Sequence, residues 1–372
     1  VVLGPGCGSG TFEIEAYWRL AELKTGRKKR IPPSKDVHRS ILKQIYAIDI
    51  NPFPTQLTAM NLAMKNVMAP TTDANIVVAD FFSIIPGQPL ILPYQIMTPS
   101  GPKQREIIFP EEGFDAIMGN PPYTRWTEIP GQVQRRIRDR LGDLLTKYSL
   151  LPDAARGKEP GIYVYFIMWA YKFLKPGGRL GMIISDSWLQ TDYGINFGQF
   201  LLDNFKVKAI IDISARVFPT PLVGACIVLL EKPKEEEDVG DNDVVFMYLI
   251  IPEGRSLDVE EVLNVVKDPS NAPGYYMVRV MKQRDIPRDT KWINFIFNPE
   301  EILEELEKKT IRMGELFEPS YGNATYLYLA SIGKVRGPRN LGSKEFFYLD
   351  ESKVTKMASE GSRISSENMD GY

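Results

Sequence analysis

The 372 residues predict a doubly wound α/β sheet, mostly parallel, followed by an incomplete α+β region at the C-terminal end. Three observations carry this prediction. Short apolar runs alternate with helix-length segments from residue 1 to about 232, the pattern of strands joined by crossover helices. The first run ends in the glycine-dense tract GPGCGSG, residues 4–10, which leads into a helix. Three later runs lead to Asp49, Asp80 and Asn120, polar side chains at the edge where open α/β sheets hold ligands.

Val1-Val2-Leu3 reads as the tail of a buried strand, so the chain has the look of a fragment. The glycines that follow permit a tight turn and close backbone approach, and the helix over 11–23 then presents free N–H groups to an anionic ligand. Residues 24–43 form a basic, proline-containing insertion. The second strand, 45–50, carries Asp49, suited to accept two ribose hydroxyls, and Asn51-Pro52 opens a helix near 55–66. The third strand is 76–80. Residues 83–113 hold several prolines without a clear period and read as a surface hairpin or loop insertion. The fourth strand, 115–118, runs into Asn120-Pro121-Pro122-Tyr123. Helices are expected over 130–147 and 163–174, the second stopped by Lys175-Pro176-Gly177-Gly178. Strand 179–185, helix 195–204 and strands 207–213 and 225–231 complete seven strands. The acidic run EKPKEEEDVGDND, 231–243, breaks the pattern as a solvated loop or linker. Strand-like stretches at 244–250 and 275–280, a helix over 299–309 and a Gly/Tyr/Ser-rich tract follow.

Composition excludes several classes of function. Forty-five basic against 47 acidic residues give a net charge of −2, unlike a dedicated nucleic-acid binder. The clusters Gly26 to Arg30 and Arg125, Arg135, Arg136, Arg138 and Arg140 are compatible with a phosphate-facing surface or with solvated faces. Cys7 and Cys226 fit neither a disulfide framework nor a zinc site, and no metal ligand set is expected. The single histidine, His38, lies in a polar segment and reads as a surface residue. No apolar run is long enough to span a membrane.

The tetrapeptide after the fourth strand is the most informative. Two consecutive prolines fix their own φ and push Asn120 into an extended conformation, which holds its side chain stiffly at the strand end. The Asn120 amide oxygen, the proline carbonyls and the Tyr123 ring offer two acceptors and a flat face, a grip for a planar group carrying an exocyclic NH2. A proline-rich turn after a core strand is the plainer alternative.

In this order the motifs resemble the amino-group DNA methyltransferases that use S-adenosylmethionine, and within them the gamma-class adenine-N6 enzymes of the TaqI-like and type IIG restriction-modification group. The resemblance covers about residues 1–232 and thins afterwards. It implies a Rossmann-like methyltransferase sheet whose seventh strand is antiparallel. GPGCGSGTF, with Pro5, Gly6, Gly8, Gly10 and Thr11, is similar to the cofactor loop; Asp49 and Ile50 match the ribose-binding strand end, and Asp80-Phe81 the segment that holds the cofactor's adenine. Asn120, Pro121, Pro122 and Tyr123 match the catalytic motif, and Phe166 lies in the next matching helix. Arg216-Val217-Phe218-Pro219 resembles the motif whose aromatic ring, here Phe218, faces the extruded base alongside Tyr123. The family carries an acidic residue, toward the cofactor's ammonium group, where Gly4 stands here.

These residues lead to an expected domain order of a methyltransferase domain at 1–232, a linker and connecting α/β segment at 233–310, and the start of a target-recognition domain at 311–372. The expected partners are double-stranded DNA with a flipped adenine and a restriction nuclease domain or subunit, in a prokaryotic cytoplasm and without a membrane. Cytosine N4, an RNA base and a release-factor glutamine remain as alternative targets, as does an inactive binding subunit. Asn rather than Ser or Asp at position 120 favours adenine over cytosine, and the large insertion and long C-terminal region favour DNA.

Overall fold

Alternate residues of the first strand, β1 (Val2–Pro5), enter different cores. Leu3 packs into the large cluster on one face of the sheet and Val2 into a smaller one on the other. The computed structural model describes residues 1–69, 74–98, 101–152, 159–213, 224–251, 255–297, 310–312 and 348–350. Residues 1–297 form one unit; in the second, 298–372, Thr310–Arg312 pairs antiparallel with Tyr348–Asp350. The expected helix at 299–309 and nearly all of 311–372 lie outside the described residues.

After β1 come β2 (Ile45–Asp49), β3 (Asn75–Val78) and an antiparallel hairpin, β4 (Pro89–Thr98) and β5 (Gly101–Ile108). Then follow β6 (Phe114–Gly119), β7 (Leu174–Ser185), β8 (Lys206–Ile213), β9 (Ala225–Glu231), β10 (Asp243–Leu249) and β11 (Met277–Lys282). All but the hairpin join one sheet in the order β11-β10-β8-β9-β7-β6-β1-β2-β3. β9 runs antiparallel between β7 and β8, and β11 antiparallel beside β10; the other pairings are parallel.

The sheet therefore has nine strands rather than the seven expected. The two extra ones come from the segment read as linker and connecting structure. Val244, Val245, Phe246, Met247 and Leu249 are buried, the near-continuous apolar run of a strand covered on both faces, and they extend the sheet past β8. The acidic run before them is anchored by Lys206, which pairs with both Glu231 and Glu237.

Helices α1 (Thr11–Thr25), α2 (Lys35–Leu42) and α3 (Pro52–Ala63) pack on one face. Helices α4 (Gly131–Lys147), α5 (Ile162–Ala170) and α6 (Asp192–Asn204) pack on the other. α7 (Val259–Lys267) covers the end of the sheet near β10, on the face opposite the large cluster. α3 starts where the sequence indicates: the Asn51 side chain accepts the Phe53 N–H, and Pro52 occupies the first turn. α5 is buried at every residue and has no polar face. It ends at Ala170, earlier than expected, and a 3-10 turn at Tyr171–Phe173 leads into β7. Lys175-Pro176-Gly177-Gly178 thus opens the strand, where its pairing with β6 is irregular.

The insertion 24–43 contains α2, and His38 is a correction to the sequence reading. α2 turns His38, Ile41 and Leu42 inward, so the histidine is fully buried with Nδ1 2.7 Å from the Tyr17 hydroxyl, and burial lowers its pKa. Among the described residues no helix is long and apolar enough to cross a membrane.

Candidate active site

Strand register brings three of the sequence-identified segments to one edge. Pro5 lies opposite Ile48 and Leu3 opposite Ile117, so β1, β2 and β6 leave the sheet at the same level, at Gly6, Asp49 and Asn120. Gly119 must approach closely there, since a Cβ would stand 3.3 Å from the Pro5 carbonyl oxygen.

The glycine loop is a left-handed cradle, with φ of +76°, +55° and +87° at Gly6, Gly8 and Gly10. A Cβ at Gly10 would also press on Thr58 Oγ1 at 2.9 Å. The Gly6 and Cys7 N–H groups both donate to the Ile48 carbonyl, at 2.7 and 2.9 Å. The Asp49 carboxylate takes the Gly8 N–H on Oδ2 and the Asn51 N–H on Oδ1, each at 2.9 Å, so it is fixed by backbone and keeps lone pairs for further donors. Gly10 caps α1 without a side-chain hydrogen bond, which leaves the N–H groups of the first turn, starting at Thr11, directed at the same edge.

An aromatic wall stands beside this cradle. Phe166 on α5 comes within 3.9 Å of where a Gly6 Cβ would be, and its ring lies 5.3 Å from that of Phe81. Asp80 does not stand open: Oδ1 accepts the Phe82 N–H at 3.0 Å and Oδ2 pairs with Arg136 on α4 at 2.8 Å. Its carboxylate fixes the turn that carries Phe81. Ile50, next to Asp49, is 64% exposed at the rim.

In the segment after β6, the Asn120 Oδ1 atom is buried and has no hydrogen-bond partner among the described residues. Pro121 is buried, Pro122 exposed, and Tyr123 half-buried with its ring edge-on to Tyr163 at 6.2 Å. Tyr163 in turn bonds the hydroxyls of Tyr193 at 2.8 Å and Ser187 at 3.1 Å, so the Tyr123 wall is backed by a buried polar network. Burial raises the Tyr123 pKa, reinforced by Cys226 and Asp186. Phe218, expected to face Tyr123, lies outside the described residues.

Three carboxylates near these segments were not singled out from sequence. Asp186 follows β7 and its pKa is raised by burial; burial and the charge of Asp186 push Asp212 up to about 6. Glu13, in the first turn of α1, is 2% exposed, and burial together with the charge of Asp49 pushes it up to about 7, its own backbone N–H acting the other way. A sequence signal for Glu13 exists in retrospect: it falls on the stripe with Ala16, Tyr17 and Ala21 that α1 buries.

Comparison with known proteins shows what the chain is similar to. Residues 43–218 match the Eco57I restriction-modification methylase family. The matched span contains Asp49, Asp80, the Asn120 to Tyr123 segment and Phe166. The chain is 34% identical over 100 residues to the type II methyltransferase M.BstVI of Geobacillus stearothermophilus, 27% of this chain and 16% of that protein. It is 28% identical over 258 residues to the type II restriction enzyme and methyltransferase RM.Eco57I of Escherichia coli, 62% of this chain and 24% of that protein. The chain thus spans about a quarter or less of the length of these relatives. The type IIG restriction endonuclease BpuSI shares the fold, with a TM-score of 0.53 over 84% of this chain and 32% of its own, at 16% identity.

Proposed function

We propose that this chain holds the catalytic and cofactor-binding part of an adenine-N6 DNA methyltransferase that uses S-adenosylmethionine in a restriction-modification or other phage-defence system of a prokaryotic cytoplasm. The observation that carries the proposal is Asn120 Oδ1, a buried acceptor without a partner among the described residues, at a strand end level with the glycine cradle. Leaving such an acceptor unmatched costs stability, so a donor supplied by the substrate explains why it persists.

The residues of the edge fit the cofactor. Gly6, Gly8 and Gly10 allow backbone approach, Asp49 retains acceptor capacity for two ribose hydroxyls, and Phe81, Phe166 and Ile50 supply apolar surface for an adenine ring. Bound there, S-adenosylmethionine supplies an electrophilic methyl group on its sulfonium sulfur. Asn120 Oδ1 and the Pro121 carbonyl accept the two N–H bonds of the target amine, draw its lone pair out of the ring and aim it for in-line transfer. No strong base is required, because the methylated amine is more acidic and sheds its proton afterwards. Tyr123, with Phe218 assigned by the resemblance, stacks on the base. Stacking worth about 1–3 kcal/mol per base offsets much of the roughly few kcal/mol needed to extrude it. Asn rather than Ser or Asp at position 120 favours adenine over cytosine.

Residues 311–372 are assigned to target recognition, and a nuclease domain or subunit as partner, the latter supported by the combined restriction and methyltransferase name of RM.Eco57I. The division of labour at the edge is the test. Asn120→Ala should abolish labelled methyl transfer to duplex DNA while leaving S-adenosylmethionine affinity within about threefold of wild type by calorimetry. Asp49→Ala should weaken cofactor binding first. Equal binding losses in both variants would refute the assignment.

A further inference from the structure

Glu13 is a buried carboxylate that the proposed reaction leaves unexplained. Among the described residues its carboxylate has no hydrogen-bond partner on either oxygen, although the residue is 2% exposed in the first turn of α1. It lies against β1 at a particular point: a Cβ at Gly4 would overlap Glu13 Oε1 and stand 2.9 Å from Cδ. The missing side chain at position 4 and the inward carboxylate are therefore one feature. Glu13 fills from the helix the space that a side chain on the strand would fill, two residues before the glycine cradle begins at Gly6. The charge that acts on it is that of Asp49, of the same sign. Packing alone would be served by leucine, since the neighbours of Glu13 on the buried stripe of α1 are Ala16, Tyr17 and Ala21. A carboxylate in such a place is neutralised either by a proton or by a cation, and beside the cofactor edge a cationic ligand can supply the second.

We propose that Glu13 receives the α-ammonium group of the cofactor's methionine end, from α1 and in place of an acidic residue at position 4. The inference rests on the S-adenosylmethionine reading. It makes Glu13 and Gly4 an exchanged pair: the carboxylate can stand on the strand or on the helix, but not on both, because the two overlap. The contact is a charge-assisted hydrogen bond, and it discriminates for ligands that carry the amine.

Calorimetric titration with S-adenosylhomocysteine and with its deaminated analogue tests this on the full chain. Glu13→Gln should weaken S-adenosylhomocysteine by about tenfold or more and the deaminated analogue by less than about twofold. Gly4→Asp alone should impair binding, whereas Gly4→Asp combined with Glu13→Leu should return S-adenosylhomocysteine affinity to within about threefold of wild type. Melting temperatures of all variants verify that each is folded. Equal losses for the two ligands in Glu13→Gln, or no loss at all, would overturn the assignment while leaving the cofactor reading intact. A wild-type chain that binds neither ligand would overturn both.

Discussion

At the scale of single residues, Asn120 Oδ1 and the Glu13 carboxylate are buried polar atoms without a hydrogen-bond partner among the described residues, whereas Asp49 and Asp80 are held by backbone N–H groups and, for Asp80, by Arg136. Asn120 was legible in the sequence because two prolines after an apolar run fix the residue before them, a purely local constraint. Glu13 was not, because its meaning depends on Gly4, nine positions away and on a different element. His38 was misread for a similar reason: its polar sequence neighbours conceal that α2 turns it toward Tyr17. Glu13 also makes a stability prediction. Its folded pKa of about 7 lies above its ordinary 4.5, so the folded chain binds the proton more tightly and loses stability as pH rises between those values. In the ligand-free protein, wild type should lose about 2–4 kcal/mol relative to Glu13→Gln between pH 5 and pH 8, measured by denaturant unfolding. A difference that stays constant with pH would show that the carboxylate is not desolvated.

Elements were predicted best where the pattern is local and repeated. The strands of the sheet through β9 and helices α1, α3 and α4 follow from apolar period and cap residues, whereas the proline-rich 83–113 leaves a hairpin and a loop insertion both open in the sequence, and the hairpin β4 and β5 is what forms. β10 and β11 were read only as strand-like, because nothing local says which sheet a strand joins; that is decided by the exposed edge of β8 and by the aromatic packing beyond it. The glycine loop is the element on which the site depends most. Gly10→Ala combines a left-handed backbone with contact against Thr58, and should cost about 1–3 kcal/mol of stability together with a measurable loss of cofactor affinity. An alanine variant that melts with wild type and binds normally would show that the loop tolerates another geometry.

For the unit as a whole, the edge that holds the candidate site and strands β10 and β11 are parts of one folding unit. Phe246 on β10 is fully buried and stands 5.7 Å from Trp292, which lies 5.2 Å from Trp188; a Cβ at Gly198 on α6 would overlap the same Trp292 indole. A chain ending at Lys232 would strip this packing from α6 and bare the edge of β8, so it should not unfold cooperatively, whereas a chain ending at Phe297 should show one sharp transition. Two equally cooperative transitions would mean that β10 and β11 are dispensable.

The most direct measurement uses the intact chain, methyl-labelled S-adenosylmethionine and, in separate reactions, duplex DNA, RNA and a translation release factor, each product digested and identified by mass. The expected product is N6-methyladenine in the DNA reaction alone, absent with Asn120→Ala; N4-methylcytosine, or label in RNA or protein with none in DNA, would contradict it.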